Sequence, residues 1–419
     1  MLQKRDWYKR VTTIPSTTTL RDMEGRQTDR VIHIVIDGVS HKFLDEVMPD
    51  SIKHLKKHGT WVDRCHTIWP SITGPAHTAM NSGTYAGTNG VTLPYVVNPE
   101  DGTIRQMNSL AESRAESIVE ALFRQGLRSA GICGHMNRGM QYFVSEACIG
   151  HHAERVTDKA IKAIDDFDPD YLQIVYFAVD TVQHVYGVNT DDARESLLWV
   201  GEEISRLIEK EAGKRTTFVI SADHGMVATT NSTNDLLAPL FKELGLTWHG
   251  YGRFALLWGD DPKSQLEKLE DGVSSDPKLR KVVQAVWSKD NELATLGARG
   301  ESYGIGAILL QPSYSITSGS SGTYPGNHGG YTKDEILVPL IFSGAGVKEN
   351  AKLDFAETVD IAPTICRLLG CEAPKDAEGR ILDVFLETSD DLKAGEPNSK
   401  RIKILGKLLC VPYVFSVEC

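Results

Sequence analysis

Three stretches constrain this chain most: Val31-Ile32-His33-Ile34-Val35-Ile36, Tyr171-Leu172-Gln173-Ile174-Val175-Tyr176-Phe177 and Thr216-Thr217-Phe218-Val219-Ile220-Ser221-Ala222. Each is a nearly unbroken apolar, β-branched or aromatic run. A half-exposed strand would alternate with polar residues, so such runs suit strands covered on both faces, as in a parallel sheet. Helical patterns at 41–58, 111–126 and 192–211 separate them. Ser129–Cys133 and Leu337–Ser343 read as further strands, and Thr358–Gly370 as a helix closed by its glycine. This alternation predicts an α/β fold: a doubly wound, mostly parallel sheet flanked by helices.

From Asn231 to Tyr324 the pattern changes to short alternating segments (Arg253–Trp258, Ala307–Leu310), a charged helix near 262–270 and a Ser/Gly-rich stretch at 315–323. The expected organisation is a catalytic core of residues 25–230 and 325–400, a small α+β cap at 231–324 that decides specificity, and a C-terminal tail at 401–419. Ile402–Val417 is apolar but interrupted by Lys403, Lys407 and Pro412, which suggests a final strand or a docked tail. Gly134–Gly150 reads as irregular. It holds His135 and Arg138, and neither they nor the adjacent His151 and His152 are assigned a role.

The formal net charge of −11, with no basic run to offset it, excludes a general nucleic-acid-binding surface. Phosphate recognition would need a local site, such as metal ions. The first thirty residues hold no apolar core of signal-peptide length, and no run is long enough to span a bilayer. The seven cysteines show no CxxC pair. Reduced thiols, a cytoplasmic location and no membrane association are expected.

Chemistry gathers at the strand ends, where open α/β sheets bind ligands. The first strand ends on Asp37-Gly38, the second leads to Asp180-Thr181-Val182-Gln183-His184, and the third ends on Asp223-His224-Gly225. Each can be read as a turn or as a site. At i, i+4, Asp180 and His184 converge if a helical turn follows the strand. His328 is framed by glycines in Tyr324-Pro325-Gly326-Asn327-His328-Gly329-Gly330. Pro70-Ser71-Ile72-Thr73-Gly74-Pro75 places two hydroxyls ahead of a helix, with Gly74 as N-cap and Pro75 at the first position. That is either an ordinary capped helix or a hydroxyl placed to meet an anion. Together, Asp37, Asp180, His184, Asp223, His224 and His328 are enough mixed N/O ligands for two divalent ions, zinc first and manganese or iron as alternatives. Thr73 beside one ion would ionise more easily and act as nucleophile.

These motifs resemble the alkaline phosphatase superfamily, and most closely its type I phosphodiesterase/nucleotide pyrophosphatase branch, from about Val31 to Leu382. The markers are Ile-Asp-Gly at 36–38, Pro-Ser-Ile-Thr-Gly-Pro at 70–75 and Asp-Thr-Val-Gln-His-Val-Tyr-Gly at 180–187. Ala-Asp-His-Gly at 222–225, Asn-His-Gly-Gly at 327–330 and Val-Asp-Ile-Ala-Pro-Thr at 359–364 complete the set. The resemblance implies an alkaline-phosphatase-like core and two metals. Asp37, Asp223, His224 and Thr73 would hold one, and Asp180, His184 and His328 the other. Thr73 rather than Ser71 falls at the nucleophile position, where it would form a phospho-threonine that water then releases. The implied substrate is a small phosphodiester, nucleotide or phosphonate.

Two departures bear on substrate. The branch usually carries a phosphoryl-binding asparagine shortly after the nucleophile helix, and here only Asn89 and Asn98 lie near. The lysine pair of the phosphonoacetate hydrolases is not evident between 126 and 150. Diester or pyrophosphate hydrolysis therefore leads over phosphonoacetate or phosphomonoester hydrolysis. A non-catalytic metal-binding scaffold is the reading from another class, and the intact ligand set speaks against it.

Overall fold

The computed structural model describes residues 25–93, 113–134, 138–145, 152–317, 324–386 and 398–409, with the backbone alone at 95–97 and 104–106. Its centre is an eight-stranded sheet of β1 (Arg30–Ile36), β2 (Gly59–Val62), β3 (Ser129–Ile132), β4 (Tyr142–Val144), β5 (Tyr171–Tyr176), β6 (Thr216–Ser221), β11 (Leu340–Gly344) and β12 (Ala351–Leu353). Their order is β12-β2-β11-β6-β1-β5-β3-β4. β1 lies between β5 and β6, parallel to both, with Ile36 opposite Tyr176 and Val35 opposite Ser221. These three predicted strands are fully buried. Because their ends are aligned, the residues immediately after each strand emerge along one edge. β11, expected from its apolar run, enters antiparallel to β6 and β2.

Helices cover both faces. On one lie α1 (His41–Val47), α2 (Asp50–Lys57), α5 (Ala153–Phe167) and α7 (Asp191–Lys210). On the other lie α3 (Thr73–Ser82), α4 (Ile118–Arg124) and α9 (Ile361–Leu368). The mixed α/β sheet architecture is thus as read from the sequence. Several local details differ. The 41–58 segment breaks in two because Met48 is left-handed ahead of Pro49. The 111–126 helix shortens to α4, which starts behind a Ser117–Glu120 capping box. Within Gly134–Gly150, β4 adds an edge strand parallel to β3. The 358–370 helix opens as a 3₁₀ turn at Thr358–Asp360 before α9, with Gly370 at φ +69 beyond its end.

Within 231–324 lies a separate antiparallel sheet of β7 (Thr247–Tyr251), β8 (Phe254–Trp258), β9 (Val283–Ser288) and β10 (Gly306–Leu310), ordered β7-β8-β10-β9. α8 (Pro262–Ser275) packs on it, closing one apolar cluster with Leu257, Leu269, Val273 and Ile308. The sheet's other face meets the core through Trp69, Ile72, Phe254, Trp287 and Tyr331. The tail is not a strand over its described part. It forms α10 (Ser399–Leu409), which inserts Leu405 into that same junction. Residues 410–417 of the predicted segment lie outside the described residues, as do His135, His151 and Asn98. No helix among the described residues is long and apolar enough to cross a membrane.

Candidate active site

Asp37 follows β1 and Asp223-His224 follow β6, so parallel pairing alone brings them together. His224 Nε2 lies 3.7 Å from Asp37 Oδ1 and 3.2 Å from Asp223 Oδ2. All three residues are at most 1% exposed. The second group needs one more element. β5 is followed by α6 (Ala178–Tyr186), whose turn places His184 Nε2 3.5 Å from Asp180 Oδ2. His328, in the Gly326–Gly330 loop, joins them. Each trio offers one ligand atom per residue, all within 4.8 Å of one another. The groups adjoin because the His224 and His328 rings stack at 3.7 Å between centroids, tilted by 13°.

Gly38 permits this closeness. It sits at φ +75, and a Cβ there would lie 2.8 Å from Asp180 Cβ and 2.9 Å from its Cα. Its N–H donates to Asp223 Oδ1 (3.2 Å), and its carbonyl accepts from Gln183 Nε2 (2.8 Å). One turn thereby ties the end of β1 to both trios.

The imidazoles are oriented as ligands. His184 Nδ1 is 2.8 Å from Gly326 O, His224 Nδ1 3.1 Å from Gly225 O and His328 Nδ1 3.0 Å from Ser71 O. A carbonyl only accepts, so each Nδ1 carries the hydrogen and each Nε2 presents its lone pair to the site. Burial, helped by the neighbouring His224 and His184, holds His328 well below the ordinary imidazole range. Burial likewise lowers His184. Neutral Nε2 atoms and buried carboxylates are the donor set of zinc-type cations, and Asp223 Oδ2 accepts no hydrogen bond among the described residues. The residues fit two such ions.

Thr73 differs from the expected cap. Ile72, not Gly74, is the N-cap of α3, in extended conformation and without a side-chain cap bond, so Thr73 rather than Pro75 is the first helical residue. Its Oγ1 is 3.2 Å from His224 Nε2. Thr73 is half-buried, as are Asp180 and His184, whereas the Asp37 trio is sealed. The site therefore opens on the Asp180–His184 side. Ser71 instead donates to Gly330 O (2.8 Å), bracing the His328 loop.

Asn89 does not reach this site. Its amide donates to Thr84 O and Thr84 Oγ1, both at 3.2 Å, and its Oδ1 accepts from Val91 N, so it holds its own loop. Three further residues, Tyr251, Arg253 and Glu335, were not singled out from the sequence. Tyr251 points its ring edge-on at His328 (6.4 Å between centroids), and its phenol is pushed up to about 12 by burial and by the Asp180 and Asp37 carboxylates. Arg253 meets Glu335 in the core. Only Glu335 left a trace, the Thr332-x-x-Glu335 capping-box spacing, and that signals a helix start rather than a site.

The family model for type I phosphodiesterase/nucleotide pyrophosphatase matches residues 31–332. Among curated proteins, the chain is 20% identical to the ectonucleotide pyrophosphatase/phosphodiesterase C27A7.1 of Caenorhabditis elegans, over 86% of this chain and 45% of that protein. It is also 20% identical to the bis(5'-adenosyl)-triphosphatase enpp4 of Xenopus laevis, over 83% of this chain and 79% of that protein. The chain spans about half the length of the nematode relatives, at 45% and 49%. The murine ectonucleotide pyrophosphatase/phosphodiesterase 5 shares the fold, with a TM-score of 0.69 at 15% identity, over 82% of this chain and 96% of that one. Its inactive threonine-to-alanine variant, solved in complex with AMP, superposes with a TM-score of 0.70 at 15% identity over the same shares. The chain belongs to the type I phosphodiesterase/nucleotide pyrophosphatase family.

Proposed function

We propose that this protein hydrolyses phosphodiester or pyrophosphate bonds of small nucleotide-type substrates at a two-cation site, with Thr73 as nucleophile. The observation that carries this reading is the Thr73 hydroxyl, 3.2 Å from His224 Nε2, at the joint between two adjoining three-ligand groups. Asp37, Asp223 and His224 would hold one divalent cation together with Thr73, and Asp180, His184 and His328 the other. Zinc suits the donors best, with manganese or iron as alternatives. Such ions, when bound, act as Lewis acids on phosphoryl oxygens and favour ionised hydroxyls.

The chain's own groups supply the rest. Thr73 gives its proton to solvent, Oγ1 bonds to phosphorus, and the P–O bond to the leaving group breaks. Water then attacks phosphorus, the P–Oγ1 bond breaks, and Thr73 regains a proton. The N–H groups of Thr73 and Gly74, at the first two positions of α3, have no acceptor inside the helix, so with the helix dipole they favour a phosphoryl anion there. The open side at Asp180–His184 leaves room for the leaving group. A specificity-deciding cap at 231–324 belongs to the same reading. So does a cytoplasmic location, which the free thiols of Cys65, Cys133, Cys366 and Cys371 support.

The names of the relatives support a nucleotide-type substrate. The test is metal content by elemental analysis, paired with turnover of bis-p-nitrophenyl phosphate before and after chelation. About two ions per chain, with turnover lost on chelation and restored by zinc, is the expected result. Two ions with turnover only of aryl phosphomonoester or phosphonoacetate would move the reaction class. No bound metal, and no turnover after metal is added back, would leave a scaffold.

A further inference from the structure

We propose that the buried Arg253–Glu335 ion pair is the device that positions His328, so that the cap is required for the second cation site as well as for substrate choice. The inference rests on the two-cation reading above. Arg253 lies in the Gly252–Arg253 turn between β7 and β8, and Glu335 lies in the core, just before the short link to β11. Both side chains are fully buried, with Arg253 Nε 3.3 Å from Glu335 Oε1. The guanidinium also donates to Leu310 O of the cap sheet (2.7 Å).

The loop carrying His328 is gripped between these partners at successive points. Arg253 N donates to His328 O at 3.1 Å. Glu335 Oε1 accepts from Gly330 N at 2.8 Å, while Oε2 accepts from Thr332 N at 3.1 Å and from Thr332 Oγ1 at 2.7 Å. The fit leaves no slack. A Cβ on Gly330 would lie 2.7 Å from Glu335 Oε2 and 3.0 Å from Arg253 Nη2, and one on Gly252 would lie 2.3 Å from His328 O. The His328 ring is thus held by Ser71 O, its carbonyl by the Arg253 main-chain N–H, and the residues that follow it by the Glu335 carboxylate. A buried ion pair is a poor source of stability, because desolvation offsets the attraction, and an apolar pair of similar volume often serves as well. Here the Glu335 carboxylate supplies directed hydrogen bonds to the His328 loop, and the Arg253 guanidinium holds that carboxylate in place. Groups that orient metal ligands typically set affinity by about 10–100-fold.

The test compares wild-type protein with the Arg253→Met/Glu335→Gln double variant, which leaves no charge unpaired, and with Arg253→Lys. Zinc is titrated against a competing chelator to give the two site affinities. His328→Ala identifies which belongs to the His328 group, and thermal melting verifies folding. The double variant is expected to weaken the His328-group affinity about 10–100-fold and to leave the Asp37-group affinity within about threefold, with Arg253→Lys in between. Unchanged affinities in folded double variant would overturn the inference, as would an equal fall at both sites, which marks general loosening. Should the double variant not fold, Arg253→Lys decides alone: selective weakening supports positioning, and wild-type affinities refute it. Wild-type protein that binds no zinc would overturn the functional reading, and this inference with it.

Discussion

Gly38 is the sharpest point at which backbone geometry and the proposed chemistry meet, and alanine there separates two costs. The first is conformational, since φ is +75. A left-handed residue with a Cβ costs roughly 1–2 kcal/mol. The second is steric. The new Cβ would stand 2.8 Å from Asp180 Cβ and 2.9 Å from Asp180 Cα. Carbon atoms prefer about 3.5–4.0 Å, so something must move by roughly 0.7–1 Å. Asp180 Cα belongs to α6 and cannot rotate away as a side-chain tip could. Overpacking of this kind costs typically about 1–3 kcal/mol. Gly213 is the matched control, because it has the same φ of +75 and nothing within 4 Å of its Cβ position. Gly213→Ala should therefore lose about 1–2 kcal/mol in urea unfolding, with turnover unchanged. Gly38→Ala should lose about 2–5 kcal/mol in all. Its bis-p-nitrophenyl phosphate turnover should fall on the order of 10²-fold, because the two trios are pushed apart by up to an ångström. Equal destabilisation of the two variants, with wild-type turnover in Gly38→Ala, would refute the close-contact argument.

Thr73→Ala should keep both cations and lose turnover by at least about 10³-fold; elemental analysis and single-turnover kinetics check this, and near-normal turnover would exclude the threonine as nucleophile. Away from the site, His33 lies within the sheet, its Nε2 2.8 Å from Ser221 Oγ and its Nδ1 3.1 Å from Tyr171 OH, and burial lowers its pKa to about 3. Below the unfolded value of 6.5 the unfolded chain takes up a proton that the folded chain refuses, so this group's contribution to stability falls as pH drops from 6.5 towards about 3. His33→Gln should make the stability–pH curve shallower across that window by about 1.4 kcal/mol per pH unit, measured by urea unfolding at stepped pH; an unchanged slope would mean that His33 is already protonated in the folded protein.

Much of the site was legible because parallel strands translate sequence into space simply. A buried run that ends on Asp37 and another that ends on Asp223-His224 must emerge at the same edge once β1 pairs in register with β6. Asp180 and His184 are equally local, set by one helical turn. The α3 cap misled because Pro75 and Gly74 carry strong terminal signals, yet the chain enters the helix at Thr73 behind an extended Ile72. That two-residue shift leaves the hydroxyl on the helix itself, 3.2 Å from His224 Nε2. The C-terminal segment was ambiguous for a different reason. Ile402, Leu405, Leu408 and Leu409 pack on a cluster that exists only once the β7–β10 sheet meets Trp69 and Ile72, so no local pattern marks their partner.

By itself, the order of residues determined the buried strands and the identity of the strand-end carboxylates and imidazoles, and it set the proposal of Thr73 over Ser71 as nucleophile. These follow from periodicity, from short-range spacing and from motif resemblance. Only the tertiary structure decided the reversed direction of β11, the stacking of His224 on His328, and the grip of Arg253 and Glu335 on the His328 loop. Direction depends on how a connection crosses the sheet. The stacking and the grip join residues 82 to 104 positions apart, whose proximity is set by packing between distant segments. Local sequence encodes strands, turns and the polar side chains at their ends, whereas the distance between two such side chains is a property of the assembled fold.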